Sequence, residues 1–212
     1  MTEATTRRNR PYAPRLLPEQ RREQLLDVVL EIINADGVGA VSMDAVARRS
    51  GVTRPVVYSQ FTGTDDMLRA SLDREEQRAL AQIADAVPGP AAQDVPAAFH
   101  SFFDTYLRAV AEAPQRWRAI FMIADSGTPT FHQRVNRARA RFVREFEPAL
   151  RDPGIAGHPV DPELVAHHLL AVLWESGRLL LVSPDDFTHQ RLLRSLDALL
   201  TAILAHHRKG SR

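Results

Sequence analysis

The chain contains no cysteine, which excludes a disulfide framework and thiolate metal sites and permits a reducing cytosol. It has one lysine, Lys209, among 27 basic residues, so its positive charge is almost entirely arginine. No sign of charge dominates: the formal net charge is +1, and any basic footprint for nucleic acid must therefore be local. No uninterrupted apolar run approaches the roughly 20 residues of a membrane span, and the opening MTEATTRRNR has no apolar segment of the signal-peptide kind. The expectation is a soluble, cytoplasmic, unprocessed chain without a membrane partner.

Chemistry-bearing patterns are also lacking. There is no phosphate-cradling glycine loop, no G-x-S-x-G elbow and no H-E-x-x-H zinc signature, and the eight histidines are scattered. His167 and His168 are adjacent, hence about 100° apart on a helix, and cannot easily share a metal. Glu163 and His167 are one turn apart and could offer two ligands, but a plain surface pair is the simpler reading. With no carboxylate or nucleophile constellation, no enzyme, cofactor or metal is expected.

What is present is an apolar fraction of 44%, enough for a buried core, and a basic N-terminus. Residues 1–22 carry Arg7, Arg8, Arg10, Arg15, Arg21 and Arg22 against Glu3 and Glu19, with prolines at 11, 14 and 18. Residues 1–17 read as a basic mobile arm. Beyond Leu17 the periodicity is helical throughout. Leu25, Leu26, Val29, Ile32 and Ile33 make one stripe that ends at Asp36-Gly37. A short helix opens at Ser42 and stops at Ser50-Gly51, another runs from Thr53 to Phe61, and a long one from about Asp65 to Ala86 stops at Pro88-Gly89-Pro90. Further helices fit Val95 to Glu112, Pro114 to Asp125, Pro129 to Leu150, Pro162 to Leu181 and Asp185 to His207. The expected fold is all-α with about nine helices and no internal repeat: a three-helix domain over 18–64, then a larger helical domain over 65–212.

Residues 42–61 have the features of a helix-turn-helix. Gly51 lies between two short helices, where a tight turn favours positive φ, and Ala47 is small where those helices should cross. Val46, Val52 and Val57 are apolar where such a unit would bury them on the first stripe. On these residues alone an ordinary three-helix packing unit remains possible.

The stretch VSMDAVARRSGVTRPVVYSQFTGTDDMLRASL resembles the DNA-binding region of the TetR family of bacterial transcriptional regulators, without gaps, over roughly Arg21 to Leu72. The matching positions are Gly37, Ser42, Val46-Ala47, Gly51-Val52-Thr53, Tyr58, Phe61, Asp65, Met67 and Leu68. The resemblance implies that the helix Thr53 to Phe61 enters a major groove. Thr53 and Arg54 would stand at its N-terminal end, Arg54 as the candidate for a bidentate contact to guanine. Pro55 would stiffen the first turn, Val56 would meet a thymine methyl, Tyr58 and Ser42 would reach phosphates, and Gln60 would add a polar contact. Thr64 occupies a position where the family commonly has a phosphate-contacting lysine, and Val38 one where an aromatic is frequent. Arg7, Arg8 and Arg10 could compensate in a minor groove, or belong to a solvated tail.

In the C-terminal half, Leu164 to Val182 is apolar on most of its circumference and includes Gly177, which would permit close helix approach. Leu192, Leu193, Leu196, Leu199, Leu200, Ile203 and Leu204 form a second stripe. Together they suggest a homodimer through a four-helix bundle of the last two helices, as the resemblance also implies, the alternative being plain core. Two reading helices about one DNA turn apart would match a palindromic operator in double-stranded DNA. Between head and interface lie Phe99, Phe102, Phe103, Tyr106, Trp117, Phe121, Met122, Phe131, Phe142, Phe146 and Trp174. The resemblance implies a cavity there for a small apolar or amphipathic ligand, with Tyr106, Trp117, Arg118, Phe121, His167 and Trp174 as candidate lining residues. The expected function is a repressor released from its operator by that ligand. The alternatives are a ligand-independent DNA-binding regulator or activator and, more remotely, a helical carrier that has lost DNA binding.

Overall fold

The computed structural model describes residues 16–89, 92–126, 129–151 and 161–205. Among them are nine α-helices and no strand: α1 (Pro18–Asp36), α2 (Met43–Ser50), α3 (Arg54–Tyr58), α4 (Thr64–Ile83), α5 (Val95–Glu112), α6 (Pro114–Ala124), α7 (Pro129–Leu150), α8 (Pro162–Val182) and α9 (His189–Ala205). The arginines at 7, 8, 10 and 15, and the histidines at 206 and 207, lie outside the described residues.

The helix limits follow local chemistry. Proline at the first or second position opens α1, α3, α5, α6 and α8, where its missing N–H leaves no hydrogen bond unmade. Asp94 and Asp161 cap α5 and α8 by accepting first-turn N–H groups. At the start of α1, the Gln20 side chain accepts the Leu17 N–H at 3.2 Å. Gly37 ends that helix at φ +87°, a backbone conformation that favours glycine. The expected start of the last helix at Asp185 is corrected to His189: residues 184–187 form a turn, tied by the Phe187 N–H donating to the Ser183 carbonyl at 2.8 Å.

The head packs α1 on α2 and α4, and α2 on α3, while α1 also lies against α6. One continuous apolar core runs from Leu25 and Ile33 through Met67 and Leu72 to Phe103 and Leu196, crossing the boundary expected at residue 64. α5 lies at the centre of the larger part, against α4, α8 and α9, and its Phe99, Phe102 and Phe103 are buried with Phe146 of α7. The Phe99–Phe146 and Phe102–Phe146 rings meet edge-on at 5.2 and 5.1 Å, the arrangement that the ring quadrupole favours.

Two expectations for the C-terminal helices change here. The leucine stripe of α9 is not a free face: Leu192, Leu196 and Leu200 are buried within the chain, where α9 packs on α5 and α8. Gly177 is also buried and faces inward, because a Cβ there would overlap the Tyr106 hydroxyl and come within 3.0 Å of the Phe121 ring. Its close approach is therefore to α5 and α6 within the chain. The surfaces left outward carry Leu164 and Val172 on α8, and Ser195, Ala198 and Ala202 on α9. By length and composition α8 could cross a membrane, with a window of mean hydropathy 1.2, although its sequence is interrupted by Glu175 and Arg178. Almost half of that window, 44%, is buried against the rest of the chain.

Gly177→Ala is expected to cost roughly 1–3 kcal/mol, as overpacking does in a filled core. Thermal unfolding of the variant measures this. Adding Tyr106→Phe should return part of the loss by removing the overlapping oxygen, and a double variant no more stable than Gly177→Ala would refute the contact.

Candidate nucleic-acid interface and ligand cavity

The head holds α3 rigidly from behind and leaves its front bare. Gly51, at φ +69°, makes the turn, and the Val52 N–H closes it by donating to the Ala47 carbonyl at 3.1 Å. Val46, Ala47, Val57 and Phe61 are buried, and the Arg22 guanidinium lies 4.4 Å above the Phe61 ring while donating to the Gln60 carbonyl at 2.5 Å. Asp66 accepts the Thr62 N–H at 2.9 Å, which fixes the α3–α4 turn and holds the Asp66 carboxyl below its ordinary pKa.

Thr53, Arg54, Pro55 and Tyr58 are exposed on the outer side of α3, while Val56 and Gln60 are half-buried. Tyr58 is 58% exposed although it directly follows a fully buried valine. Thr53 makes no capping bond, so its hydroxyl is uncommitted. Ser42 does cap: its Oγ accepts the Ala45 N–H at 3.1 Å, which leaves the hydroxyl hydrogen for an outside acceptor. Arg54 forms an ion pair with Asp44 of α2, both well exposed, so the expected base-reading guanidinium is held from behind by a carboxylate. Sequence reasoning missed Asp44, although it stands two residues after the cap in the helix that crosses α3. Thr64 opens α4 and lines a shallow cleft with Val38, Val41 and Met122.

Behind the head, α4, α5, α6, α7 and α8 enclose a cavity of about 100 Å³ with almost wholly apolar walls. Of the expected lining residues, Tyr106, Trp117 and Trp174 are there. Phe121 stands behind the wall, edge-on to Trp174 at 4.6 Å. Arg118 and His167 are not at the cavity. Arg118 lies within 3.5 Å of Asn34 on α1, and His167 is on the exposed side of α8. Sequence reasoning missed Phe102, Ile120, Leu170 and Leu173 and, on α7 and α4, Arg134, Ala138, Arg139 and Phe142 with Leu72, Glu76, Leu80 and Ile83. Spacing could have found those on α7, since 134, 138 and 142 share one helical face.

Two polar atoms of the wall, the Tyr106 hydroxyl and the Trp117 Nε1, are buried without a hydrogen-bond partner. Burial pushes the Tyr106 phenol far above its ordinary pKa, so it stays neutral and available as a donor. Arg139 lies over the Trp174 ring at 5.1 Å. Arg134 joins α7 to α4 by bonding Glu76 at 2.5 Å and pairing with Asp73.

Residues 25–71, which include the whole turn geometry described above, match the family model of the bacterial regulatory proteins, tetR family. The chain is similar to that family over those 47 residues, under a quarter of its length. It is 41% identical over 54 residues to the HTH-type transcriptional regulator SrpR of Pseudomonas putida, a match that spans about a quarter of each chain. It is 29% identical over 167 residues to the HTH-type transcriptional activator FasR of Mycolicibacterium smegmatis, which covers 77% of this chain and 74% of that one. The fold is shared with a TetR-like transcriptional regulator from Rhodococcus sp. RHA1, at a TM-score of 0.75 and 20% identity over 90% of this chain and 99% of that chain. The expected all-α fold is thus found, and the family model matches over the expected helix-turn-helix.

Proposed function

We propose that this chain is a homodimeric, sequence-specific DNA-binding regulator that is released from a palindromic operator when a small apolar or amphipathic ligand enters the cavity, and so acts as a repressor. The observation that carries this reading is the contrast across α3: a fully buried Val57 behind, and exposed Thr53, Arg54 and Tyr58 in front. A side chain as costly to expose as tyrosine gains a purpose if its hydroxyl meets a phosphate. DNA as partner places the protein in the cytoplasm and requires no enzymatic activity. Ser42, Pro55, Val56, Gln60 and Thr64 join this surface as secondary contacts, and Arg7, Arg8 and Arg10 as a minor-groove arm.

Arg54→Ala with Tyr58→Phe is expected to weaken binding to duplexes selected from a random library by about 1–3 kcal/mol or more, roughly 5- to 150-fold, in a salt-controlled assay. Unchanged affinity would remove α3 as the reading helix. Asp44→Asn bears on the same surface. Freeing Arg54 should raise affinity for unrelated DNA more than for the selected site, because the ion pair limits indiscriminate phosphate contact. Equal changes on both DNAs, or none, would leave Asp44 as a surface partner only.

The name of FasR, whose match extends over 77% of this chain, favours a second reading in which the bound protein activates transcription. In vitro transcription from a template carrying the selected site separates the two by the sign of the change.

A further inference from the structure

Beside the apolar cavity, between α4 and α7, lies a shallow cleft of about 360 Å³, lined by Glu76, Arg134, Arg137, Arg141 and Phe142. Glu76, Leu80, Arg134 and Phe142 belong to the walls of both spaces, so the inner apolar volume and the outer charged cleft form one two-part site. We propose that this site takes an amphipathic anion, with the end of its apolar tail inside and its anionic head on Arg134 and Arg137, and that the head competes with Asp73 and Glu76 for Arg134. This rests on the ligand-gated reading above and names the ligand class and the contact through which the ligand acts.

The charge of the head follows from the cleft. Arg141 is engaged by Glu145 at 2.9 Å, and Arg134 by Asp73 and Glu76, but Arg137 makes no ion pair among the described residues. Burial lowers the Arg134 pKa, and repulsion from Arg137 adds to that lowering. An anion placed between two guanidiniums relieves both penalties, whereas a cation would worsen them. The alternative partner for a cation, Glu76, is already bonded to Arg134, and its half-burial raises its pKa and so disfavours the charged form that a cation needs. The apolar part of the ligand is dictated by the inner walls. At about 100 Å³ the inner space falls below the roughly 300–1,000 Å³ of a drug-sized site, so it holds only the last few carbons of a narrow chain, the rest of which lies along Leu80, Ala138 and Phe142 of the outer cleft.

The competition matters because of where the pair sits. Asp73 and Glu76 are on α4, and α4 begins at Thr64, directly after the reading helix and its turn. Arg134 ties α4 to α7. A head group that takes over the guanidinium removes that tie and lets the ligand-bound protein favour a different placement of α4, which is the differential interaction a population shift requires.

The test uses the protein's two tryptophans, Trp117 and Trp174, both of which lie on the cavity wall, so that intrinsic emission reports the cavity alone. Sodium laurate, 1-dodecanol and dodecyltrimethylammonium, all below micelle formation, share a tail and differ in head charge. Laurate should saturate at one per protomer and bind at least about 10-fold tighter than dodecanol, with the ammonium weakest. Arg137→Gln should cut laurate affinity about 10-fold and leave dodecanol unmoved, whereas Glu76→Gln should tighten laurate about threefold or more by removing a competitor. Equal affinity for laurate and dodecanol, tighter binding of the ammonium, or the same response to both substitutions would overturn the proposal. These titrations contain no DNA, so they stand or fall apart from the regulator reading. In a separate arm laurate should weaken binding of the wild-type protein to its selected duplex, and a laurate-loaded protein with unaltered DNA affinity would refute the coupling while leaving the anion site in place.

Discussion

Alanine in place of Glu75 is expected to lower the melting temperature by about 6–20 °C, the equivalent of about 3–5 kcal/mol for a chain of this size. Glu75 is 2% exposed and stands at the junction of three helices. Its carboxylate accepts from Arg74 at 2.7 Å and from Arg116 of α6 at 3.1 Å, and Arg78 lies 3.6 Å away. Arg74, 8% exposed, also bonds Asp27 at 2.8 Å and Glu23 at 3.2 Å on α1. Removing the carboxylate leaves the Arg74 guanidinium buried with its closest counter-charge gone, and one of its nitrogens, Nη2, already has no partner. That is costlier than never having buried charge there. The double variant Arg74→Met with Glu75→Leu should therefore recover much of the loss. Calorimetry on both variants decides: a single substitution that costs under about 1 kcal/mol, or a double variant less stable than the single, would show that the cluster is not a desolvated pair.

The cluster has a functional side as well. Glu23 and Asp27 lie on the head's first helix, Arg116 lies on the cavity's α6, and α4 between them carries Arg74 and Glu75. A displacement of α4 or α6 relative to α1 would have to break these contacts, whose charged groups cannot be separated cheaply. On the far side, Asn34 reinforces the same junction by donating to the Gln115 carbonyl at 3.1 Å.

How much of this was legible in the sequence depended on how local the cause was. Ser42, Gly51 and the proline-led starts of α5 to α8 obey rules that act within a turn, and they were read correctly. Leu192, Leu196 and Leu200 were read with the rest of their stripe as a two-fold interface, but the spacing of leucines does not name the partner, and these three pack within the chain on α5 and α8. Gly177 was read as a place of close helix approach and is one, but glycine does not say to what, and here Tyr106 occupies the space. Arg134 and Arg139 were passed over because arginines on a mostly polar helix look solvated, whereas their stems line an apolar wall and only their heads reach outward. Arg118 and His167 attracted attention as polar groups on apolar helices, yet one faces α1 and the other solvent.

The largest effect on function is expected from Val172→Arg combined with Ala198→Arg, which should convert a dimer into monomers and reduce operator affinity toward the non-specific level, roughly 1,000-fold. With the leucines of α9 turned inward, the surface left for a partner consists of Leu164, 52% exposed, and Val172 on α8, together with Ser195, Ala198 and Ala202 on α9. Small residues on α9 let two helices approach closely, and the larger apolar residues of α8 then fill the space beside them. In a two-fold arrangement each patch meets its own copy, so a new arginine on one protomer brings another on its partner, and repulsion is added to the lost packing. Both positions are exposed within the chain, so the monomer should keep its melting transition to within a few degrees apart from the part the dimer contributed. Sedimentation at micromolar concentration and binding to the selected duplex read the two halves separately. A wild-type protein that sediments as a monomer would remove the dimer, and a doubly substituted protein that still sediments as a dimer would place the interface elsewhere. A monomer with undiminished affinity would break the link between two-fold symmetry and operator recognition.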